Sequence, residues 1–147
     1  VELAQRYDHV YAAVGFHPSD LEHFTPDSIH QLRVLAQEPK VVAIGEIGLG
    51  YYWEKDPAAH QVQKQALRLQ MALAQELGYK SIFWSFAYAD WDTQNVAEPA
   101  AALQKVTEST HPGAIFLLHA VSPTNAEILG QAIDSIRSQG YTFTTAL

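Results

Sequence analysis

Apolar positions along the chain alternate between short unbroken runs and stripes spaced by three and four residues. The runs fall at 10–16, 41–48, 81–87, 114–118 and 141–145, each of strand length and bounded by turn-forming residues. Between them, Ile29, Leu32 and Ala36, widened by Leu35, mark a first helix. Val62, Ala66, Leu69, Leu73 and Leu77 mark the longest one, Ala102, Leu103 and Val106 a third, and Ala126, Leu129, Ala132, Ile133 and Ile136 a fourth. Thr25 before Pro26, Pro99, and Ser122 before Pro123 read as helix starts, because proline's missing amide hydrogen costs nothing in a first turn. Gly78 and Gly140 read as stops, since glycine takes the left-handed conformation freely. The expected order is βαβαβαβαβ: an α/β fold of five mostly parallel strands and four helices, in a single domain of 147 residues.

Crossovers of this length call for parallel, right-handed connections. Two arrangements satisfy them. A flavodoxin-like, doubly wound sheet buries all five strands between helices. A partial (β/α) barrel puts every helix outside and exposes the concave side of the sheet, where Val42, Ile44, Ile115 and Leu117 would stand. Such an apolar face invites a second copy, so a homodimer through it is the one partner the pattern suggests.

Composition narrows the classes of function. With 48% hydrophobic and 17% charged residues the chain has the make-up of a globular domain. No apolar run approaches the ~20 residues that span a bilayer, and no membrane partner is expected. Nine Lys and Arg against sixteen Asp and Glu leave a formal charge of −7. A broad cationic surface for nucleic acid is therefore not expected, although a bound divalent ion would still bridge to phosphate. Without cysteine there is neither a disulfide nor a thiolate, and any metal would rest on His, carboxylate and water. The chain begins at Val1 with no basic segment and no signal-like apolar stretch, which leaves its localisation open.

Parallel α/β sheets carry their chemistry at the carboxyl ends of the strands. The ionisable residues expected there are His17, Glu46, Asp90 on its loop, and His119. Each also has an ordinary structural use. Glu46 can simply reach solvent, His17 can close the turn at Pro18, Asp90 can order its loop, and His119 can bond to a loop carboxylate. Trp84 and Trp91, with Tyr51, Tyr52 and Trp53, offer flat surfaces for a sugar or a base, or anchors for the core. Gly45, Gly48 and Gly50 do not form a phosphate-binding loop of accepted spacing.

The pieces Ala13-Val14-Gly15-Phe16-His17-Pro18 and Val41-Val42-Ala43-Ile44-Gly45-Glu46-Ile47-Gly48-Leu49, then Tyr51-Tyr52 and the glutamine-rich stretch 61–77, resemble the TatD-related metal-dependent DNases. The resemblance implies a (β/α)8 barrel that binds divalent metal and hydrolyses phosphodiesters, with Glu46 as a metal ligand; the strand-end position of His17 makes it a further candidate. The family's acidic residue before the aromatic pair is replaced by Gly50, and its first-strand His-x-His ligands have no counterpart. Phe83-Trp84-Ser85-Phe86-Ala87-Tyr88-Ala89-Asp90-Trp91-Asp92 and 111–119, ending in Leu117-Leu118-His119, resemble polysaccharide deacetylases of the delta-lactam peptidoglycan deacetylase branch. There the resemblance implies His119 as the general acid, Asp90 as the group that orients it, and Leu117, Trp84 and Trp91 as walls of the cleft. The early Asp-Asp motif and the His-x-x-x-His pair of that family are absent.

With two partial sites meeting near residues 78–81, the sequence reads as an artificial or selected chimera of two barrel fragments. On that reading it has no evolved biochemical function, no cofactor and no physiological partner. The alternatives are a weak hydrolase of phosphodiesters or N-acetyl sugars, dependent on zinc or another divalent metal, and a carbohydrate-binding remnant.

Overall fold

The computed structural model describes residues 1–145 as two compact units, one ending at Ser81 and the other beginning at Ile82. The first contains helix α1 (Glu2–Arg6), strand β1 (Ala12–Val14), helix α2 (Ser28–Leu35), strand β2 (Val41–Ile44) and helix α3 (Pro57–Glu76). β1 and β2 pair in parallel, with Ala12 opposite Val41 and Val14 opposite Ile44. The α2 crossover makes that direction necessary, since a connection of this length cannot be a hairpin. Val14, Leu32, Val41 and Leu73 are buried together, flanked by Phe16, Ile29, Ile44 and Leu77. At the amino end of the sheet the Lys40 ammonium gathers the carbonyls of Tyr7, Asp8 and Val10 at 2.8, 2.8 and 3.0 Å.

Helix α3 starts where Asp56 accepts a hydrogen bond from the Ala58 N–H at 2.9 Å, with Pro57 in its first turn. It ends at Gly78, whose φ of +78° lets the Tyr79 N–H reach back to the Ala74 carbonyl at 2.9 Å. Its buried face is Gln63, Ala66, Gln70 and Leu73. Gln63 and Gln70 are thus buried, each one residue on from the Val62 and Leu69 of the expected stripe, and Val62 is exposed.

The second unit holds helices α4 (Pro99–Glu108) and α5 (Pro123–Ser138). Ala102, Val106, Ile128, Ala132 and Ile136 form its core, with Phe86, Tyr88, Phe116 and Leu118 packed against it. Ser122 caps α5 through the Asn125 N–H at 3.2 Å. Glu98, rather than a small polar residue, caps α4 by accepting from the Ala101 N–H at 2.9 Å.

The α/β class holds, with parallel pairing, but the described residues contain two strands and five helices instead of five strands and four helices. The missing helix was α1, too short to leave a periodic signature. The runs at 81–87 and 114–118 do meet in parallel, yet only as the single bridge Phe86 to Phe116. Ser85 explains part of this, because its hydroxyl accepts from the Ile115 N–H at 3.1 Å, the donor that a ladder would use. The run at 141–145 pairs with no strand among the described residues. The start of α2 also differs: Thr25 does not cap it, and the Thr25 N–H instead donates to the Ser28 hydroxyl at 3.1 Å, two residues beyond Pro26.

Candidate functional site

In the second unit a buried carboxylate faces an imidazole. Asp90 is 4% exposed, and its carboxylate faces donors. Its Oδ1 lies 2.7 Å from His119 Nδ1, and its Oδ2 accepts from the His119 N–H at 2.7 Å and from the Asn125 side-chain amide at 2.5 Å. Burial by itself would raise the Asp90 pKa. The backbone N–H of His119, the Asn125 amide and the His119 ring outweigh it, and the carboxyl is held below the ordinary value of 3.8. An ionised Asp90 favours the His119 tautomer with its hydrogen on Nδ1, which leaves Nε2 as the ring's acceptor. The edge of Trp91 approaches the same ring, with centroids 5.8 Å apart. Leu117 is half-buried two residues before His119, and Trp84 is exposed on the other run.

Behind the pair, Asn125 donates to the His119 carbonyl at 3.1 Å and accepts from the Tyr88 hydroxyl. Burial raises the Tyr88 pKa, the Asp90 charge raises it further, and the Ser122 hydroxyl offsets part of the rise. The phenol therefore stays protonated and acts as a donor. Asn125 and Tyr88 were not singled out as site residues from the sequence. An asparagine in the third position of a helix that Ser122 already caps was the available signal.

In the first unit, α3 organises the carboxyl ends of both strands. Gln70, 1% exposed, accepts from the Phe16 N–H at 2.6 Å and donates to the Phe16 carbonyl at 3.2 Å. Two helical turns earlier, Gln63 accepts from the Gly50 N–H at 2.9 Å and donates to the Pro18 carbonyl at 3.2 Å. His17 is thus carried between two residues whose backbones are anchored to one helix. Its Nδ1 accepts from the Ser19 N–H at 3.2 Å, the turn-closing use expected of a His-Pro pair. Gly15 and Gly45 come so close that a Cβ on Gly15 would lie 3.1 Å from the Gly45 nitrogen, and Gly45 donates to the Val14 carbonyl at 2.9 Å. Glu46 follows directly and is exposed. Beside these loops lies a groove of about 560 Å³ whose lining includes Pro18, Gly50, Trp53 and Gln63.

The donor chemistry does not amount to a finished metal centre. Among the described residues no three His, Asp or Glu side chains gather so as to hold an ion. Asp90 has both oxygens committed to hydrogen bonds, and His17 has one ring nitrogen committed to its turn. What the chain does assemble is a hydrogen-bonded carboxylate–imidazole pair in one unit and an anchored strand-end loop in the other.

Parallel strand pairing between helices places this protein in the broad class of α/β folds. More narrowly, the chain belongs to the TatD related DNase family, whose profile matches residues 1–132. It is 43% identical over 77 residues to the uncharacterized metal-dependent hydrolase YabD of Bacillus subtilis, a match covering 52% of this chain and 29% of that protein. Over 136 residues it is 34% identical to the peptidoglycan-N-acetylmuramic acid deacetylase PdaA of Bacillus subtilis, covering 92% of this chain and 49% of that one. It is also 41% identical over 76 residues to the 3'-5' ssDNA/RNA exonuclease TatD of Enterobacter lignolyticus, covering 52% of this chain and 28% of the exonuclease. The chain thus spans between about a quarter and a half of the length of these relatives.

Two expectations are overturned by these matches. An artificial protein without function does not fit a profile match running from residue 1 to residue 132 and relatives named as hydrolases and exonucleases. The expectation of no cofactor fails for the same reason, since the family's relatives include a metal-dependent hydrolase. Sequence reasoning erred by weighing the missing motifs above the long stretches that match.

Proposed function

We propose that this chain is part of a divalent-metal-dependent hydrolase that cleaves phosphodiesters. Membership of the TatD related DNase family carries the reading. Glu46, exposed just after β2, is the chain's own best metal donor, and His17 on the glutamine-anchored loop after β1 is a further candidate. The metal would supply charge neutralisation and an activated water. Within the second unit, Asp90 orients the His119 ring so that Nε2 moves a proton on a molecule bound there.

A second reading, hydrolysis of an N-acetyl sugar, is favoured by the Asp90–His119 pair with Trp91 at its edge and by the long PdaA match. Incubating the purified protein with a short single-stranded oligonucleotide and with an N-acetylated glycan, each with manganese, magnesium or zinc and with chelator, separates the two. We expect metal-stimulated cleavage of the oligonucleotide, reduced in Glu46→Ala. Release of acetate alone selects the second reading, and no turnover of either substrate with any metal sinks both.

We also infer that the chain joins two barrel-derived segments of separate ancestry near residues 78–81. The boundary between the compact units at Ser81 supports this, as does the confinement of the YabD match to 77 residues. Each segment expressed alone should retain helical circular dichroism; coil spectra for both would count against a modular origin.

A further inference from the structure

We propose that Asn125 and Tyr88 are positioning residues that lock the Asp90 carboxylate, and through it the tautomer of His119. This rests on reading Asp90 and His119 as the acid/base centre. The geometry is unusually constrained. Asn125 sits in the first turn of α5, where a side chain of this kind often turns back to cap the helix. Ser122 already does that by accepting from the Asn125 N–H, and the Asn125 side chain is directed elsewhere. Both of its amide hydrogens are spent, one on Asp90 Oδ2 at 2.5 Å and one on the His119 carbonyl at 3.1 Å. Its oxygen is spent on the Tyr88 hydroxyl.

An amide can be reversed end for end at little cost unless its surroundings distinguish oxygen from nitrogen. Here they do so at both ends. The carboxylate of Asp90 accepts only, and the Tyr88 phenol beside that negative charge donates. Thr124 holds the same turn in place by donating to the Ala97 carbonyl at 2.6 Å. Asp90 is therefore gripped at Oδ2 by Asn125 and by the His119 backbone, which leaves Oδ1 aimed at His119 Nδ1. Without the Asn125 grip the carboxylate could rotate about its last bond, and the backbone N–H and ring N–H of His119 would compete for it.

The test is the tautomer of His119, read from imidazole nitrogen-15 correlations of the labelled protein with the ring neutral, and assigned with His119→Gln. In the unmodified chain we expect the Nδ1–H form alone. In Asn125→Ala and in Tyr88→Phe we expect a mixture with the Nε2–H form, while helical circular dichroism stays unchanged. A purely architectural role for the two residues predicts loss of stability with no change of tautomer. Folded variants that keep the single form would overturn the proposal. Should Asn125→Ala unfold, Tyr88→Phe decides, since it removes one oxygen and keeps the ring. A tautomer change in a protein that hydrolyses nothing would refute the catalytic reading and leave the positioning intact. Hydrolysis with an unmoved tautomer would do the reverse.

Discussion

Asp90 shows how a single buried charge is made tolerable. Its carboxylate is removed from solvent and compensated by three donors, two of them from the same histidine. The linkage sign follows from the downward shift of its pKa. Its contribution to stability is complete above 3.8 and disappears as pH falls through the lower folded-state value. Urea midpoints of the unmodified chain should therefore fall more steeply below pH 3.8 than those of Asp90→Asn, which has no carboxyl there to titrate. At neutral pH the variant should be about 2 kcal/mol less stable, because its amide can meet the facing donors with only one oxygen. Parallel curves for the two proteins would mean that Asp90 is not the group responsible.

Among the elements, α3 departs furthest from ordinary packing. An aliphatic stripe would have sealed the helix against the sheet, but Gln63 and Gln70 satisfy four backbone groups in the loops that follow β1 and β2. Gln70→Leu should preserve the volume and abandon two part-buried polar groups of Phe16, costing about 2 kcal/mol in chemical denaturation. A neutral result would show that water replaces the amide. The contact between strand ends is equally specific. A methyl group on Gly15 would press on the backbone of Gly45, which cannot retreat without breaking its hydrogen bond to Val14. Gly15→Ala is expected to lower stability by about 1 to 3 kcal/mol. Its crystal structure should show β1 and β2 displaced at that end, and an unmoved sheet would contradict the steric account.

For the whole molecule, charge is the property that the residue count fixes most directly. Sixteen acidic against nine basic side chains give a formal −7 near neutrality and an isoelectric point of about 5.4. Light scattering across a pH series should show a solubility minimum close to that point, where repulsion between copies vanishes. A minimum well removed from it would point to strong binding of counter-ions. Two cores with no residue in common serve the two units, one around Leu32 and Leu73 and one around Ala132 and Ile136. No helix is long and apolar enough to cross a membrane among the described residues.

Local chemistry carried a good part of this protein into view. Helix spacing, the Ser122 and Pro123 start, the Gly78 and Gly140 stops, and the parallel direction of β1 and β2 all depend on residues within a few positions of one another, and the sequence alone determined them. It also brought out Asp90 and His119, because each ends or follows an apolar run. The third dimension decided the rest. Asn125 is 35 residues from Asp90, and Gln70 is 54 from Phe16. Hydrogen bonds across such separations leave no periodic trace in the chain, since their geometry exists only after the intervening elements have packed.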